Sequence, residues 1–226
     1  MSVPRILEVR AKILKRNDEL ARDLRREFSR HGVLVVNMVS SPGTGKTAFL
    51  LETLVRLRQR GATVAAVVGD LETDNDARRL AAAGAPVRQI NTHGLCHLEA
   101  DMVRQQLAGW DLAALDYLFI ENVGNLVCPT SWDLGESLRL ALLAVTEGED
   151  KPLKYPALFN TADVAALTKL DLAAACGFDG PLARANLAAV RPGMPILETS
   201  ARTGSGLDEW LDLLAAHRDR LTAATR

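Results

Sequence analysis

The sequence has few aromatic residues, no long apolar run and almost no net charge. Aromatic residues make up 4% of its 226 residues, so a core must be built mainly from Leu, Val and Ala. No apolar run approaches the ~20 residues of a membrane-spanning helix, and the charged N-terminus does not resemble a signal peptide. A formal net charge of −1 argues against a general nucleic-acid binder. We therefore predict a cytoplasmic chain with neither a membrane nor a nucleic-acid partner.

Cysteine is scarce as well. In a chain without export features, the three cysteines indicate free thiols or metal ligands and not a disulfide framework. Cys176, beside Gly177 in an Ala-rich segment, is predicted to be a small buried apolar residue. Cys96 is followed by His97, with His93 just upstream. Alone, a Cys-His pair is more often structural than a pair of metal ligands, but on a loop that opens a helix the two side chains are able to converge on one ion.

What the sequence does contain begins with SSPGTGKT at residues 40–47. An apolar run precedes it and a helix-like run follows, which is the context of a loop whose backbone N–H groups face phosphates. Ser40 stands where the usual pattern has Gly. Lys46 is expected to reach the β- and γ-phosphates, and Thr47 to ligate Mg²⁺. The loop residues predicted to bind nucleotide are Pro42, Gly43, Thr44, Gly45, Lys46 and Thr47.

Acidic residues follow two apolar strands. The segment GDLETDNDA at 69–77 follows the strand predicted at 64–68, and α/β sheets place ligands at such strand ends. Asp70 lies closest to the strand, although the same acids also favour a helix start. Glu121 ends the strand predicted from residue 117, with Gly124 three residues on, as in a Walker B and switch II segment. The predicted catalytic residues are Lys46, Asp70 and Glu121, and the predicted Mg²⁺ set is Thr47, Asp70 and Glu121, with Gly124 at the γ-phosphate.

The later strands carry a guanine-reading pattern. The stretch 168–171, TKLD, matches (N/T)-K-x-D, in which the carboxylate of Asp171 accepts from guanine N1–H and the 2-amino group. Adenine lacks these donors, and a site with unpaired buried polar groups rejects the wrong base. The aliphatic stem of Lys169 is able to cover the base. Ser200 and Ala201, after the last strand, resemble the final guanine motif. We predict GTP and GDP as ligands, held at the base by Thr168, Lys169, Asp171, Ser200 and Ala201.

A soft-ligand site is predicted beside this cleft. Cys128 follows Gly124 by four residues, and Cys96 and His97 lie on another loop that flanks a strand end. Together Cys96, His97 and Cys128 form a candidate metal set that leaves one position open in a tetrahedral or square-planar site, which a second chain could fill. These ligand types suit both Ni²⁺ and Zn²⁺, so the metal stays open.

The order of elements predicts an α/β fold: a mostly parallel β-sheet with helices on both faces, of the P-loop NTPase type. Residues 1–32 are predicted to form an amphipathic helix packed on the domain, and residues 33–226 the P-loop domain. Residues 146–156 are interpreted as a polar loop. Lys151 and Lys154 are expected to be solvated there, although a contact to nucleotide or to a partner chain is possible in principle.

The segments SSPGTGKT, GDLETDNDA, CHLEA, ENVGNLVCP and TEGEDKPLKYP resemble the HypB family of hydrogenase nickel-incorporation GTPases, of the SIMIBI class. The resemblance implies a nickel metallochaperone that couples GTP hydrolysis to nickel delivery into nickel–iron hydrogenase. It implies a homodimer promoted by GTP or metal, with Cys96, His97 and Cys128 near its interface. It also implies a HypA-type nickel chaperone and the hydrogenase large-subunit precursor as partners.

Several residues depart from the family pattern. Thr168 replaces the usual Asn, Ala48 a hydroxyl residue and Arg202 a frequent Lys, yet no essential group is missing. The N-terminal cysteine motif or His tract of many relatives is absent, so we expect the internal site to be the metal site. Two alternatives stay open: a nickel or zinc storage or sensing protein with incidental GTPase activity, and an ATP-using P-loop enzyme with a small-molecule acceptor.

Overall fold

The protein is described by a computed structural model, which covers residues 3–70, 75–92 and 94–225. Its strands form one parallel sheet in the order β3-β2-β4-β1-β5-β6-β7. The strands are β1 Leu34–Val39, β2 Val64–Asp70, β3 Val87–Asn91, β4 Tyr117–Glu121, β5 Leu138–Ala144, β6 Val164–Thr168 and β7 Ile196–Glu198. The helices are α1 Val3–His31, α2 Lys46–Gln59, α3 Asn75–Ala81, α4 Ala100–Leu107, α5 Lys151–Lys154, α6 Pro156–Thr161, α7 Ala173–Cys176, α8 Gly180–Val190 and α9 Leu207–Thr225. The predicted parallel α/β fold is confirmed.

The central strands are buried at every position because helices cover both faces of the sheet. Successive side chains of a strand point to opposite faces, so alternate residues of β1 enter different cores. Leu34 and Val36 pack with α2 and α9, whereas Val35 packs with α1 and α4. A third cluster joins β5 and β6 to α6 and α8. Aliphatic side chains fill most of this core, as the scarcity of aromatic residues predicts.

Strand order decides where the candidate site lies. β1 pairs with β4 on one side and β5 on the other, and Met38 of β1 is opposite Glu121 of β4. Val68 of β2 is opposite Glu121 as well. The loops that follow β1, β2 and β4 therefore leave the sheet at one edge, where parallel α/β sheets bind their ligands.

The long helix α1 is fastened to two distant segments. Leu24 and Phe28 are buried in a core that α1 shares with the sheet. Asn17, which is 4% exposed, donates from Nδ2 to the Asp133 carbonyl at 2.8 Å and accepts at Oδ1 from the Ala100 N–H at 2.9 Å. The helix thus packs on the domain as expected, while the division at residue 32 stays a prediction. Within the described residues, no helix is both long and apolar enough to cross a membrane.

Two local expectations were wrong. Cys176 is exposed, not buried, because α7 is a single turn with no buried residue and Gly177 ends it in the left-handed conformation. Residues 146–156 are not all loop, since α5 begins at Lys151 with Pro152 in its first turn. Lys154 is exposed and pairs with Asp150, as expected for a solvated lysine.

Candidate functional site

The phosphate loop turns sharply at glycine and ends on a buried lysine. Gly43 and Gly45 have φ values of 74° and 95°, which a side chain would disfavour. Lys46 opens α2, is 8% exposed, and donates from Nζ to Ser40 Oγ at 3.0 Å. Burial lowers the pKa of Lys46, and the nearby carboxylate of Glu121 acts in the opposite direction. A buried ammonium at a helix N-terminus is a strong site for anionic oxygens.

The carboxylate of Glu147, which was not predicted from the sequence, holds this loop in place. Glu147 Oε1 accepts from Thr44 Oγ1 at 2.7 Å and from the Ala144 N–H at 3.1 Å, and Oε2 accepts from Ser41 Oγ. The Ser41 carbonyl lies 2.9 Å from Thr44 Oγ1 and is an alternative acceptor for the same hydroxyl hydrogen. Glu147 lies in the segment interpreted as a polar loop, and its place in TEGEDKPLKYP was the available signal. Its contacts hold the loop to the end of β5.

Oxygen ligands suited to a hard cation meet at the start of α2. Thr47 Oγ1 donates to Glu121 Oε1 at 2.8 Å, and Glu121 is 4% exposed. A hydroxyl and a carboxylate at this spacing fit Mg²⁺, which prefers oxygen ligands. Asp70 ends β2 at the same sheet edge, but its side chain lies outside what the structure describes, as do residues 71–74.

Gly124 brings the segment after β4 against the phosphate loop. A Cβ added at Gly124 would lie 3.0 Å from both the N and the Cα atoms of Pro42, a tighter contact than most packed Cβ atoms make. Both residues line a cleft of about 450 Å³. Of the predicted residues, the cleft is lined by Pro42, Gly43, Gly45, Lys46, Thr47, Glu121, Gly124 and Lys169, together with Asp76, Arg79, Asn122 and others that were not predicted.

The end of β6 is tied to the same loop. Thr168 Oγ1 donates to the Thr44 carbonyl at 2.8 Å, and Lys169 Nζ donates to the Gly43 carbonyl at 2.6 Å. Lys169 has φ +58°, the single positive φ of a non-glycine residue among those described. Such strain persists where surrounding contacts enforce it and is concentrated at functional sites. The T-K-x-D stretch therefore lies directly beside the phosphate loop.

The predicted base-reading residues contact one another. Ser200 Oγ donates to Asp171 Oδ1 at 2.6 Å, and Arg202 lies 3.8 Å from Asp171 Oδ2. Ala201 begins the turn that follows Ser200. Asp171, Ser200 and Ala201 do not line the phosphate cleft, but Lys169 joins the two regions. An ionised Asp171 presents acceptors only, which suits a base edge made of donors.

The first cysteine-bearing loop holds a half-buried pair. Cys96 Sγ lies 3.9 Å from His97 Nδ1, and His97 Nε2 lies 3.6 Å from Glu99 Oε1. The imidazole of His97 stacks on the indole of Trp132, with centroids 4.2 Å apart and planes at 18°. Burial lowers the pKa of His97 while Glu99 acts in the opposite direction, and the neutral ring is the form that binds metals.

The second cysteine opens a short 3₁₀ helix, Cys128–Ser131, and its N–H donates to Asn125 Oδ1 at 3.0 Å. No three Cys, His, Asp or Glu side chains are arranged to hold a metal ion within the described residues, and His93 lies outside them. The stack of His97 on Trp132, four residues beyond Cys128, nevertheless places the two loops side by side. The three-residue metal set stays a prediction.

Comparisons with known proteins agree with the fold and identify a family. A profile of the family described as CobW/HypB/UreG, nucleotide-binding domain, matches residues 34–198. The hydrogenase maturation factor HypB of Escherichia coli K12 is 46% identical over 218 residues, which are 96% of this chain and 75% of that protein. The crystal structure of Helicobacter pylori HypB in complex with nickel superposes with a TM-score of 0.85 at 36% identity, covering 91% of this chain and 96% of that one. Archaeoglobus fulgidus HypB gives 0.83 at 34%, covering 90% and 99%.

Proposed function

Because the chain belongs to the HypB family of hydrogenase maturation factors, we propose that it is a GTP-hydrolysing nickel metallochaperone whose nucleotide state governs nickel delivery to nickel–iron hydrogenase. The observation that carries the proposal is the packing of Gly124 on Pro42. One segment thereby contacts the phosphate loop and, four residues later, bears Cys128. Phosphates in the cleft and a metal on Cys128 would therefore act on the same stretch of chain.

Hydrolysis in this proposal rests on positioning and charge. The Lys46 ammonium and the N-terminus of α2 face the phosphates, and the low exposure of Lys46 strengthens its field on the transferred group. A Mg²⁺ ion held by Thr47 and Glu121 would neutralise charge that develops on the phosphate oxygens. Asp70, at the end of β2, is the proposed residue that orients the attacking water. No covalent intermediate is needed.

Guanine selection follows from Asp171. The Ser200 hydroxyl donates to Asp171 Oδ1 and orients the carboxylate. The remaining lone pairs of the carboxylate are then available to the two donors of guanine. Adenine would leave these acceptors unpaired. This contact, together with Lys169 bridging to the phosphate loop, favours GTP over the ATP-using alternative.

Nickel is proposed as cargo, bound by Cys96, His97 and Cys128, with Zn²⁺ as a competing ion for the same ligands. A homodimer promoted by GTP or metal would supply ligands beyond those of the single chain. Leu95 and Val127, which directly precede the two cysteines, are 41% and 61% exposed, and such apolar residues support an interface at this surface. A HypA-type chaperone and the large-subunit precursor are the proposed partners before and after this step.

The decisive experiment measures nickel affinity with GDP and with a non-hydrolysable GTP analogue. We expect different affinities in the two nucleotide states, and loss of tight nickel binding in Cys96→Ala. Cys176→Ala is the matched control, because Cys176 is an exposed cysteine on α7 and not on either of the two loops. Equal nickel affinities in both nucleotide states, together with normal binding by Cys96→Ala, would contradict the proposal. Mass spectrometry of the intact protein would report metal count and dimer state in the same samples.

A further inference from the structure

A buried polar network lies between the nucleotide cleft and the two cysteine-bearing loops. Its members are Asn37 of β1, Asn122 after β4, Glu136 before β5 and Arg139 of β5, which are 0%, 1%, 8% and 8% exposed. Burying a polar or charged side chain is costly unless every group finds a partner. A network of this size inside an aliphatic core therefore calls for a reason beyond packing.

On one side the network contacts the switch segment and the Cys96 loop together. Asn122 directly follows Glu121, donates from Nδ2 to Asn37 Oδ1 at 3.3 Å, and accepts at Oδ1 from the Leu98 N–H at 3.3 Å. Leu98 directly follows His97. A displacement of residues 121–124 must therefore either move the backbone of Leu98 as well or break the hydrogen bond between the Leu98 N–H and Asn122 Oδ1.

On the other side the network holds the Cys128 loop. Asn37 Nδ2 donates to Glu136 Oε1 at 3.1 Å, and the same oxygen accepts from Arg139 Nε at 2.8 Å and Nη2 at 2.6 Å. Arg139 Nη2 also donates to the Trp132 carbonyl at 2.9 Å, and Nη1 to the Thr130 carbonyl at 3.4 Å. The Thr130 and Trp132 carbonyls lie two and four residues beyond Cys128, respectively.

The stack of Trp132 on His97 closes the path into a ring. Starting from Asn122, one arm reaches His97 through the N–H of Leu98. The other reaches it through Asn37, Glu136, Arg139 and Trp132. The guanidinium of Arg139 joins Glu136, which accepts from Asn37 of β1, to the carbonyls of Thr130 and Trp132, because its rigid fork makes several directed bonds at once.

We propose that this network transmits the nucleotide state of the switch segment to the two loops that bear Cys96, His97 and Cys128, with Arg139 as the positioning residue that joins them. The inference rests on the proposed function and deepens it, since it assigns the coupling to named contacts that run from Asn122 in the cleft wall to the two loops. Arg139 is not among the residues that line the nucleotide cleft, and its guanidinium donates to Glu136, Thr130, Trp132 and Thr161. Its effect on nickel runs through the Thr130 and Trp132 carbonyls, and the coupling must be equal in both directions.

The test compares Arg139→Lys with the wild type. Lysine keeps the charge but loses the fork that joins Glu136 to the two carbonyls. Nickel affinity is measured with GDP and with a non-hydrolysable GTP analogue, and GDP affinity is measured without metal. We expect a wild-type ratio of nickel affinities of roughly 5- to 150-fold, the usual range of coupling between two sites. In Arg139→Lys the ratio should approach one, while metal-free GDP affinity is unchanged.

Two further variants keep the inference falsifiable. Arg88→Lys is the matched control, since the Arg88 guanidinium also donates to two carbonyls, those of Gln106 and Ala108 at the C-terminal end of α4; it should retain the ratio. Trp132→Leu removes the stack on His97 and should lower the ratio even where Arg139→Lys fails to fold by circular dichroism. A wild-type ratio of one would contradict the proposed function itself. A normal wild-type ratio that Trp132→Leu and any folded Arg139→Lys retain would overturn the network alone.

Discussion

The nucleotide cleft and the two cysteine-bearing loops occupy neighbouring strand ends but differ in how complete they are. The cleft is assembled within one chain: Glu147, Thr168 and Lys169 each fix the phosphate loop through hydrogen bonds to its hydroxyls or carbonyls. The loops hold Cys96 and His97 near each other, yet no three such ligands form a metal-binding group among the described residues. A preorganised cleft is suited to stabilising the charge that develops on bound phosphates. An incomplete set of metal ligands is suited to an ion that is bound and then released.

The largest effect is expected from Lys46→Ala, which tests whether the cleft is preorganised around this ammonium. Nucleotide hydrolysis should fall by roughly 100-fold or more, the cost of removing one preorganised group at a transition state. Single-turnover hydrolysis measures it. Lys154→Ala is the control, because Lys154 is exposed and pairs with Asp150 on the surface. Equal hydrolysis rates in the Lys46 variant and the wild type would contradict the claim that the cleft is preorganised around this ammonium.

The second prediction concerns the base end of the cleft. In Asp171→Asn an amide replaces an acceptor that guanine needs, so the preference for GTP over ATP should fall by roughly 100-fold or more. Asparagine still accepts from Ser200, so the fold should persist. Competition binding with the two nucleotides measures the ratio, with Asp212→Asn, an exposed carboxylate paired with Arg60, as the control. An unchanged ratio would favour the ATP-using alternative.

The third prediction addresses the loops. Cys128→Ala should weaken nickel binding by about tenfold or more, since even outer partners of metal ligands have effects of that size. Equilibrium competition with a chromogenic chelator measures nickel affinity, and GDP binding reports that the cleft remains intact. Cys176→Ala should bind nickel as the wild type does. Normal nickel binding by Cys128→Ala would exclude Cys128 from the ligand set.

The smallest effect is expected at Glu147, the carboxylate beneath the phosphate loop. Glu147→Ala removes the acceptor for Ser41, Thr44 and the Ala144 N–H, and should lower the free energy of unfolding by about 1–3 kcal/mol. Glu147→Gln keeps one carbonyl acceptor and should lose less. Urea denaturation with and without GDP separates stability from nucleotide binding. Unchanged stability in both variants would mean that the loop is ordered without this support.

The sequence by itself determined the parts of the cleft that depend on contiguous residues. A glycine turn between a buried strand and a helix sets the directions of its own N–H groups, so Gly43, Gly45 and Lys46 follow from local spacing. The parallel direction of most strands follows similarly, because an α-helix lies between most consecutive strands; β4 and β5 are joined instead by a segment that contains only a 3₁₀ helix. The T-K-x-D stretch could be predicted to bind guanine because it follows a predicted strand, where α/β sheets place their ligands.

Only the tertiary structure decided which distant groups meet. Glu147 lies more than a hundred residues from Ser41, and Glu136 meets Asn37, 99 residues away, because β5 runs beside β1. Such contacts depend on strand register and side-chain direction, which leave no local pattern. Exposure of Cys176 had the same origin, since a one-turn helix offers a thiol no core to enter. The phosphate loop could thus be identified from eight consecutive letters, while the supports that join it to the cysteine-bearing loops required the folded chain.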